Sequence, residues 1–143
     1  MDDTSLLDGW ARRADLEPRR TPEADVAWGD IEVAFGVRTV GDRFALVYAN
    51  RGHWTVDGTT SSRHSADAML LVRFGQLWRS LQGLGDAFSA APALGATVDR
   101  RPEGYAARVE DERGTFVRVD DARVFTHVAN LPLAEISSAM AAR

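Results

Sequence analysis

The sequence predicts an α+β fold in which helices pack on one face of a curved antiparallel β-sheet. Residues 31–37 alternate apolar and polar side chains, which is the period-two pattern of a half-buried strand. Turn dipeptides recur after short apolar runs, which favours hairpins. Residues 65–85 instead carry the helical spacing of an amphipathic helix. Two successive units, each a hairpin or meander followed by a helix, account for these patterns.

The N-terminal segment predicts a helix over residues 5–14. Leu6, Leu7, Trp10 and Ala14 share one face of this helix, and Thr4 or Ser5 can cap its free N–H groups. The two prolines of "EPRRTPEAD" then disfavour helix and predict an extended connection.

Three or four strands are predicted next. In residues 31–37, Ile31, Val33, Phe35 and Val37 form the apolar side. The run 44–49 is apolar on both faces, as in a central strand, and 53–57 follows the Arg51-Gly52 turn. Asp57-Gly58 gives a further hairpin signal, leading to a short strand near residue 61.

A long helix is predicted over 65–85, with Ser65 as its N-cap. Leu70, Phe74, Leu77 and Leu81 fall within a narrow arc, with Arg79 opposite, and Gly83 or Gly85 ends the helix.

After the flexible segment 89–97, the second half repeats the order of short strands followed by a helix. Strands are predicted at 97–100, 105–110 and 115–119, and a helix over 122–131 with Asp120 or Asp121 as its cap. Pro132 begins a last helix that carries Leu133, Ile136 and Met140. Residues 31–85 and 96–142 are therefore candidates for a weak internal repeat, with chance similarity as the alternative.

Composition narrows the classes of function. The 143 residues fit one domain, 1–143, and 45% hydrophobic residues can fill its core. All 17 basic residues are arginine, as a GC-rich, actinobacteria-like genome would produce, and the net charge of −4 argues against nucleic acid as a partner. An acidic N-terminus without an apolar stretch, and the lack of any membrane-length apolar run, predict a cytoplasmic protein.

No catalytic constellation stands out. Cysteine and lysine are absent, which excludes thiolate and lysine chemistry, and there is no Gly-x-Ser-x-Gly elbow. His53, His64 and His127 lack metal-ligand spacing, and His127 is expected to be a structural residue beside Phe125 and Val128. We therefore expect no enzyme activity, no cofactor and no metal.

The stretch "ANRGHWTVDG" supplies the best candidate for a protein-binding site. It places Arg51, His53, Trp54 and Asp57 around a predicted hairpin tip, and Trp and Arg are frequent interface hot spots. The alternative is that Trp54 covers the core of the sheet. Asp111 and Glu112, on the tip of a second predicted hairpin, form another candidate set.

Several short stretches resemble the immunity-protein-61 family of bacterial immunity proteins. They are Trp10-Ala11, the helix opening "SADAMLLVRFG" followed by Arg79 and "GLG", and the close "RVFTHVANLPLAEI". The similarity extends from about residue 6 to about residue 140, and 73–75 and 125–131 are its most distinctive parts.

The resemblance implies a function. Proteins of this family bind and neutralise a cognate secreted toxin of a polymorphic toxin system, and the family includes the immunity factor for the tuberculosis necrotizing toxin, an NAD-cleaving enzyme. It implies a 1:1 complex in which the inhibitor occludes the toxin's cleft without performing chemistry. The acidic charge suits such a partner, because a cleft that binds the phosphates of NAD tends to be positive. A small-ligand or regulatory module with an apolar pocket is the alternative, and an enzyme comes third.

Overall fold

The computed structural model describes residues 2–88, 91–93, 96, 98–99, 107–109 and 113–143. In chain order its elements are α1 (Asp3–Arg13), β1 (Glu17–Arg19), β2 (Val26–Gly29), β3 (Val33–Val40), β4 (Arg43–Asn50), β5 (His53–Thr60), α2 (Arg63–Leu81), β6 (Val98–Asp99), β7 (Ala107–Val109), β8 (Gly114–Phe116), α3 (Val119–Val128) and α4 (Leu133–Ala141). No helix among them is long and apolar enough to cross a bilayer.

The predicted α+β fold is confirmed. The described strands form one antiparallel sheet in the order β1-β2-β3-β4-β5-β8-β7-β6. Each of the segments β3–β5 and β6–β8 is a three-stranded meander followed by a helix, and the two meanders join where β5 pairs with β8. Whether these segments arose by duplication stays a prediction.

The proline-containing connection between α1 and β3 also contains two strands that were not predicted. β1 lies at the edge of the sheet, where Pro18 costs little because an edge strand tolerates a missing N–H donor. In β2, Trp28 pairs in register with Phe35 of β3 and is buried. The expected extended connection is therefore partly sheet.

Helix α2 packs across one face of the sheet. The Phe74 ring lies edge-on to Trp28 and Phe35, with centroids 5.5 and 6.2 Å away. Alternation of side chains along the paired strands places Trp54, Ala49 and Ala34 on the opposite face, because their neighbours in sequence face the helix. We call this opposite side the open face.

The predicted start of α2 and the predicted burial of two of its residues were wrong. Ser62, not Ser65, is the N-cap, and its side chain accepts a hydrogen bond from the Ser65 N–H. Arg79, predicted on the solvent side, is buried, whereas Leu81, predicted in the apolar arc, is 65% exposed. Gly83, with φ of +72°, follows the helix end as predicted.

The other helices close the remaining sides of the core. Asp2 caps α1 in place of Thr4 or Ser5, and the Trp10 indole donates to Ser137 of α4 at 2.8 Å. Asp120 and Asp121 lie inside the first turn of α3 and do not cap it.

Pro132 precedes α4 as predicted, and the three predicted apolar residues of that helix are all buried: Leu133, Ile136 and Met140.

Candidate functional site

Two neighbouring turns form one end of the sheet. In the β4–β5 turn, Arg51 and Gly52 have φ of +52° and +81°, so the Arg51-Gly52 turn is confirmed. The Arg51 N–H donates to the Glu32 carbonyl at 2.7 Å, which ties this turn to the one between β2 and β3. The second turn is fixed by Asp30, whose Oδ1 accepts from the N–H groups of Glu32 and Val33 at 2.8 Å each.

Ile31 lies on this second turn and is 96% exposed. The strand pattern predicted it to be a core residue, and that prediction was wrong. The Asp30 side chain takes the N–H groups that would extend the strand, so β3 begins only at Val33. The signal for this turn was Gly29-Asp30, a dipeptide that favours chain reversal.

Three of the predicted site residues lie at or beside the β4–β5 turn. Arg51 and His53 are exposed at the turn, and Trp54 is half-buried on the open face. Because His53 and Trp54 are consecutive residues of β5, their side chains point to opposite faces of the sheet. Ile31 joins this group because it lines the same small cavity as Trp54. We call the group of Ile31, Arg51 and Trp54 the tip surface; His53 does not belong to it.

Asp57 does not belong to the tip surface, contrary to the prediction. The pairing of β4 with β5 slips by one residue between Leu46 and Val47, so Asp57 is the extra residue of a β-bulge and Gly58 continues the strand. The bulge turns the Asp57 carboxylate towards α2, where it lies 3.0 Å from the Arg73 guanidinium. Asp57-Gly58 therefore forms no hairpin. Asp111 and Glu112, the second candidate set, lie outside the described residues.

Trp54 stands between two cavities on the open face. A cavity of about 70 Å³ separates it from Ile31 and the 51–52 turn, and Ala34 and Ala49 also line it. A larger one of about 240 Å³ lies on its other side, between Trp54, Val47, Val56 and the side chains of Glu23 and Arg38. The Trp54 side chain thus lies between the two cavities and borders both of them.

A second polar group lies between α2 and α3, away from the tip surface. Arg73 bridges Asp57 and Asp121, whose oxygens are 3.0 and 3.6 Å from its nitrogens. Burial raises the pKa of Asp121, and the charges of Arg73 and Arg118 oppose that rise. Asp121 Oδ2 is buried and accepts no hydrogen bond from the residues that the structure describes. We interpret this group as an ion-pair network that joins β5, α2 and α3.

The interior of the sheet–helix sandwich is closely packed. The cavity between the sheet and α2, bordered by Phe35, Leu46, Met69 and Leu70, measures about 10 Å³, which is about the space of one water molecule. The other cavities found around the described residues are more open, including one of about 390 Å³ between α1 and the first two strands. The interior cavity is therefore too small for the apolar ligand that the alternative prediction requires.

The histidines take separate roles. His64 Nε2 lies 2.8 Å from the Leu131 carbonyl, and His127 Nε2 lies 2.6 Å from the Ala91 carbonyl while its ring stacks on Phe88. Within the described ranges, no three side chains of the metal-binding types lie close enough to hold an ion.

Comparison with known proteins gives one likeness in structure. No family model and no curated protein matches the sequence. The fold is similar to that of Rv3902c from M. tuberculosis, with a TM-score of 0.72 over 94% of this chain and 86% of that chain. The sequence identity is 11%, so this likeness shows the fold alone.

Proposed function

We propose that this protein is a bacterial immunity protein that acts in the cytoplasm, binds a cognate toxin one to one and blocks the toxin's substrate cleft. An NAD-cleaving glycohydrolase is the toxin class that the sequence resemblance favours. In this proposal the protein performs no chemistry, and its stable fold presents a contact surface.

The observation that carries the proposal is the exposed Ile31 beside Trp54. An isoleucine with almost all of its surface in water is held in place by the Asp30 turn, although nothing in the described chain packs on it. Tryptophan and arginine are enriched among the residues that contribute most to binding at protein interfaces, and the fully buried core of an interface is more apolar than its rim. The tip surface therefore has the composition of a contact patch for another protein.

The rigidity of the patch also suits an inhibitor. The Asp30 carboxylate accepts hydrogen bonds from two backbone N–H groups of its own turn, and the Arg51 N–H to Glu32 carbonyl bond ties the second turn to it. A surface that is already ordered loses little conformational entropy when it binds, so more of the contact energy appears as affinity. The short sequence motifs that resemble immunity proteins also support the proposal.

Binding to the product of the neighbouring gene tests the proposal, because immunity proteins are usually encoded beside their toxins. Ile31→Ala and Trp54→Ala should each weaken the complex by about 2 kcal/mol, or about thirtyfold in Kd. Leu81→Ala is the matched control, since Leu81 is also an exposed aliphatic residue but lies at the end of α2. Equal loss of affinity in the control and the Ile31 variant, or no loss in folded tip variants, would reject the tip surface as the contact site.

A further inference from the structure

The larger cavity beside Trp54 is lined by both polar and apolar groups, and most of its exposed surface is polar. Val47, Val56 and the Trp54 ring supply the apolar part, while Glu23, Arg38 and Thr55 supply polar groups. We call this cavity the Trp54 slot. Its volume of about 240 Å³ is large enough for one long side chain.

The pair of Glu23 and Arg38 is asymmetric in its hydrogen bonding. Arg38 Nη1 donates to the Glu23 main-chain carbonyl at 3.4 Å and lies 3.6 Å from the Glu23 carboxylate. The carboxylate itself accepts no hydrogen bond from the described residues, and the Glu23 side chain is 45% exposed. One nitrogen of Arg38 is therefore already hydrogen-bonded, whereas the Glu23 carboxylate can still accept a hydrogen bond from a donor on a binding partner.

A tryptophan ring close to a carboxylate fits the side chains of arginine and lysine. Their aliphatic stems cover apolar surface while the charged head reaches a polar rim, and a guanidinium favours the face of an indole ring. The same pairing occurs elsewhere in this chain, where the Arg13 guanidinium lies 4.2 Å from the Trp10 ring centroid. The net charge of −4 also favours a partner with a basic contact surface.

We propose that the Trp54 slot receives a basic side chain of the partner, which stacks on Trp54 and pairs with Glu23. This inference rests on the proposed function for the identity of the partner, and it adds the chemistry of the contact. An acidic partner side chain bound to Arg38 is the opposite arrangement, and the variants below separate the two.

A small probe tests the slot without the toxin. The indole N–H resonance of Trp54, assigned by its loss in Trp54→Phe, is followed while N-acetylarginine amide is added, with neutral N-acetylglutamine amide as the comparison. We expect a saturable shift with the arginine probe alone, weakened about threefold or more in Glu23→Gln and preserved or strengthened in Arg38→Gln. Equal shifts with the neutral probe, or an unchanged response in Glu23→Gln, would overturn the inference.

The affinity of the protein for the product of the neighbouring gene gives a second test. Glu23→Gln should raise Kd about tenfold, because it removes the partner of a charge that binding takes out of water. Glu135→Gln is the matched control: it removes the same charge from an exposed site on α4, away from the tip surface, and should change Kd by about twofold at most, through long-range attraction alone.

Equal effects of Glu23→Gln and Glu135→Gln would overturn the inference, as would weakening by Arg38→Gln alone. If the product of the neighbouring gene does not bind while the arginine probe still shifts Trp54, the proposed function fails and the chemistry assigned to the slot stands.

Discussion

Arg79 offers the sharpest test of how the helices are held together. Its Nε donates to the Gly85 carbonyl at 2.6 Å, and its Nη1 donates to the carbonyls of Met140 and Ala142 at 2.7 and 2.6 Å. The last two acceptors lie at the C-terminal end of α4, where carbonyls lack partners within the helix. One buried guanidinium thus joins the ends of α2 and α4.

The expected cost of removing this guanidinium follows from the three bonds. The bond to Met140 is buried and should contribute about 2 kcal/mol, as bonds from charged donors do. The other two are partly buried, so water can replace them and each should contribute about 0.5 kcal/mol. Arg79→Met, which keeps an apolar stem, should therefore lower the free energy of unfolding by about 3 kcal/mol. Arg79→Lys should lose about half of that, because an ammonium lacks the planar fork.

Urea unfolding followed by tryptophan fluorescence measures the effect. With a slope of about 2 kcal/mol per molar, Arg79→Met should lower the unfolding midpoint by about 1.5 M. Arg12→Met is the control, because Arg12 is exposed and water screens its pairs with Asp8 and Glu17, so the unfolding midpoint should hardly change. If Arg79→Met behaved like the control, the assignment of α4 docking to these bonds would be refuted.

Three further predictions concern the sheet joint and two carboxylates. Gly58→Ala should destabilise the fold by about 1–3 kcal/mol in urea unfolding, because a Cβ there would lie 2.5 Å from Phe116 Cδ1, where β5 pairs with β8. Gly9→Ala is the control and should be neutral or stabilising, because the space around Gly9 is open. Equal effects of the two substitutions would contradict this explanation. Hydrogen bonds from backbone N–H groups lower the pKa of Asp30, so the ionised carboxylate adds to the free energy of unfolding above pH 3.8. This contribution is lost as the pH falls through the lowered pKa, so the free energy of unfolding of Asp30→Asn should fall less in acid than that of the wild type. Burial raises the pKa of Asp121, so the free energy of unfolding of the wild type should fall relative to that of Asp121→Asn as the pH rises above 3.8. The opposite trend would show that the ion pair of Asp121 with Arg73 outweighs the cost of burying its charge.

Local signals in the sequence predicted a large part of the fold. The alternation of residues in β3, the apolar run of β4 and the Arg51-Gly52 turn are encoded by neighbouring residues, and each was found close to its predicted place. Arg51, His53 and Trp54 lie at or beside this turn, and their role in binding stays a prediction. What these features share is that turn geometry and side-chain alternation need no distant partner.

The errors arose where a distant partner or a side chain decided the structure. Asp57-Gly58 reads as a hairpin, but pairing with β8 and the ion pair to Arg73 make it a bulge inside a long strand. Arg79 looks like a surface residue until the end of α4 supplies its acceptors. Such contacts join residues far apart in the chain, so the local pattern around them carries no sign of them.

Inhibition of NAD cleavage tests the proposed function most directly. The product of the neighbouring gene is assayed for NAD hydrolysis while the purified protein is titrated in, with Ile31→Ala and the exposed control Leu81→Ala in parallel. We predict that activity falls linearly and is abolished at one equivalent of wild-type protein or of the Leu81 variant, whereas the Ile31 variant requires an excess. Unchanged NAD hydrolysis at a severalfold excess of folded wild-type protein would contradict the proposal that this chain neutralises an NAD-cleaving toxin.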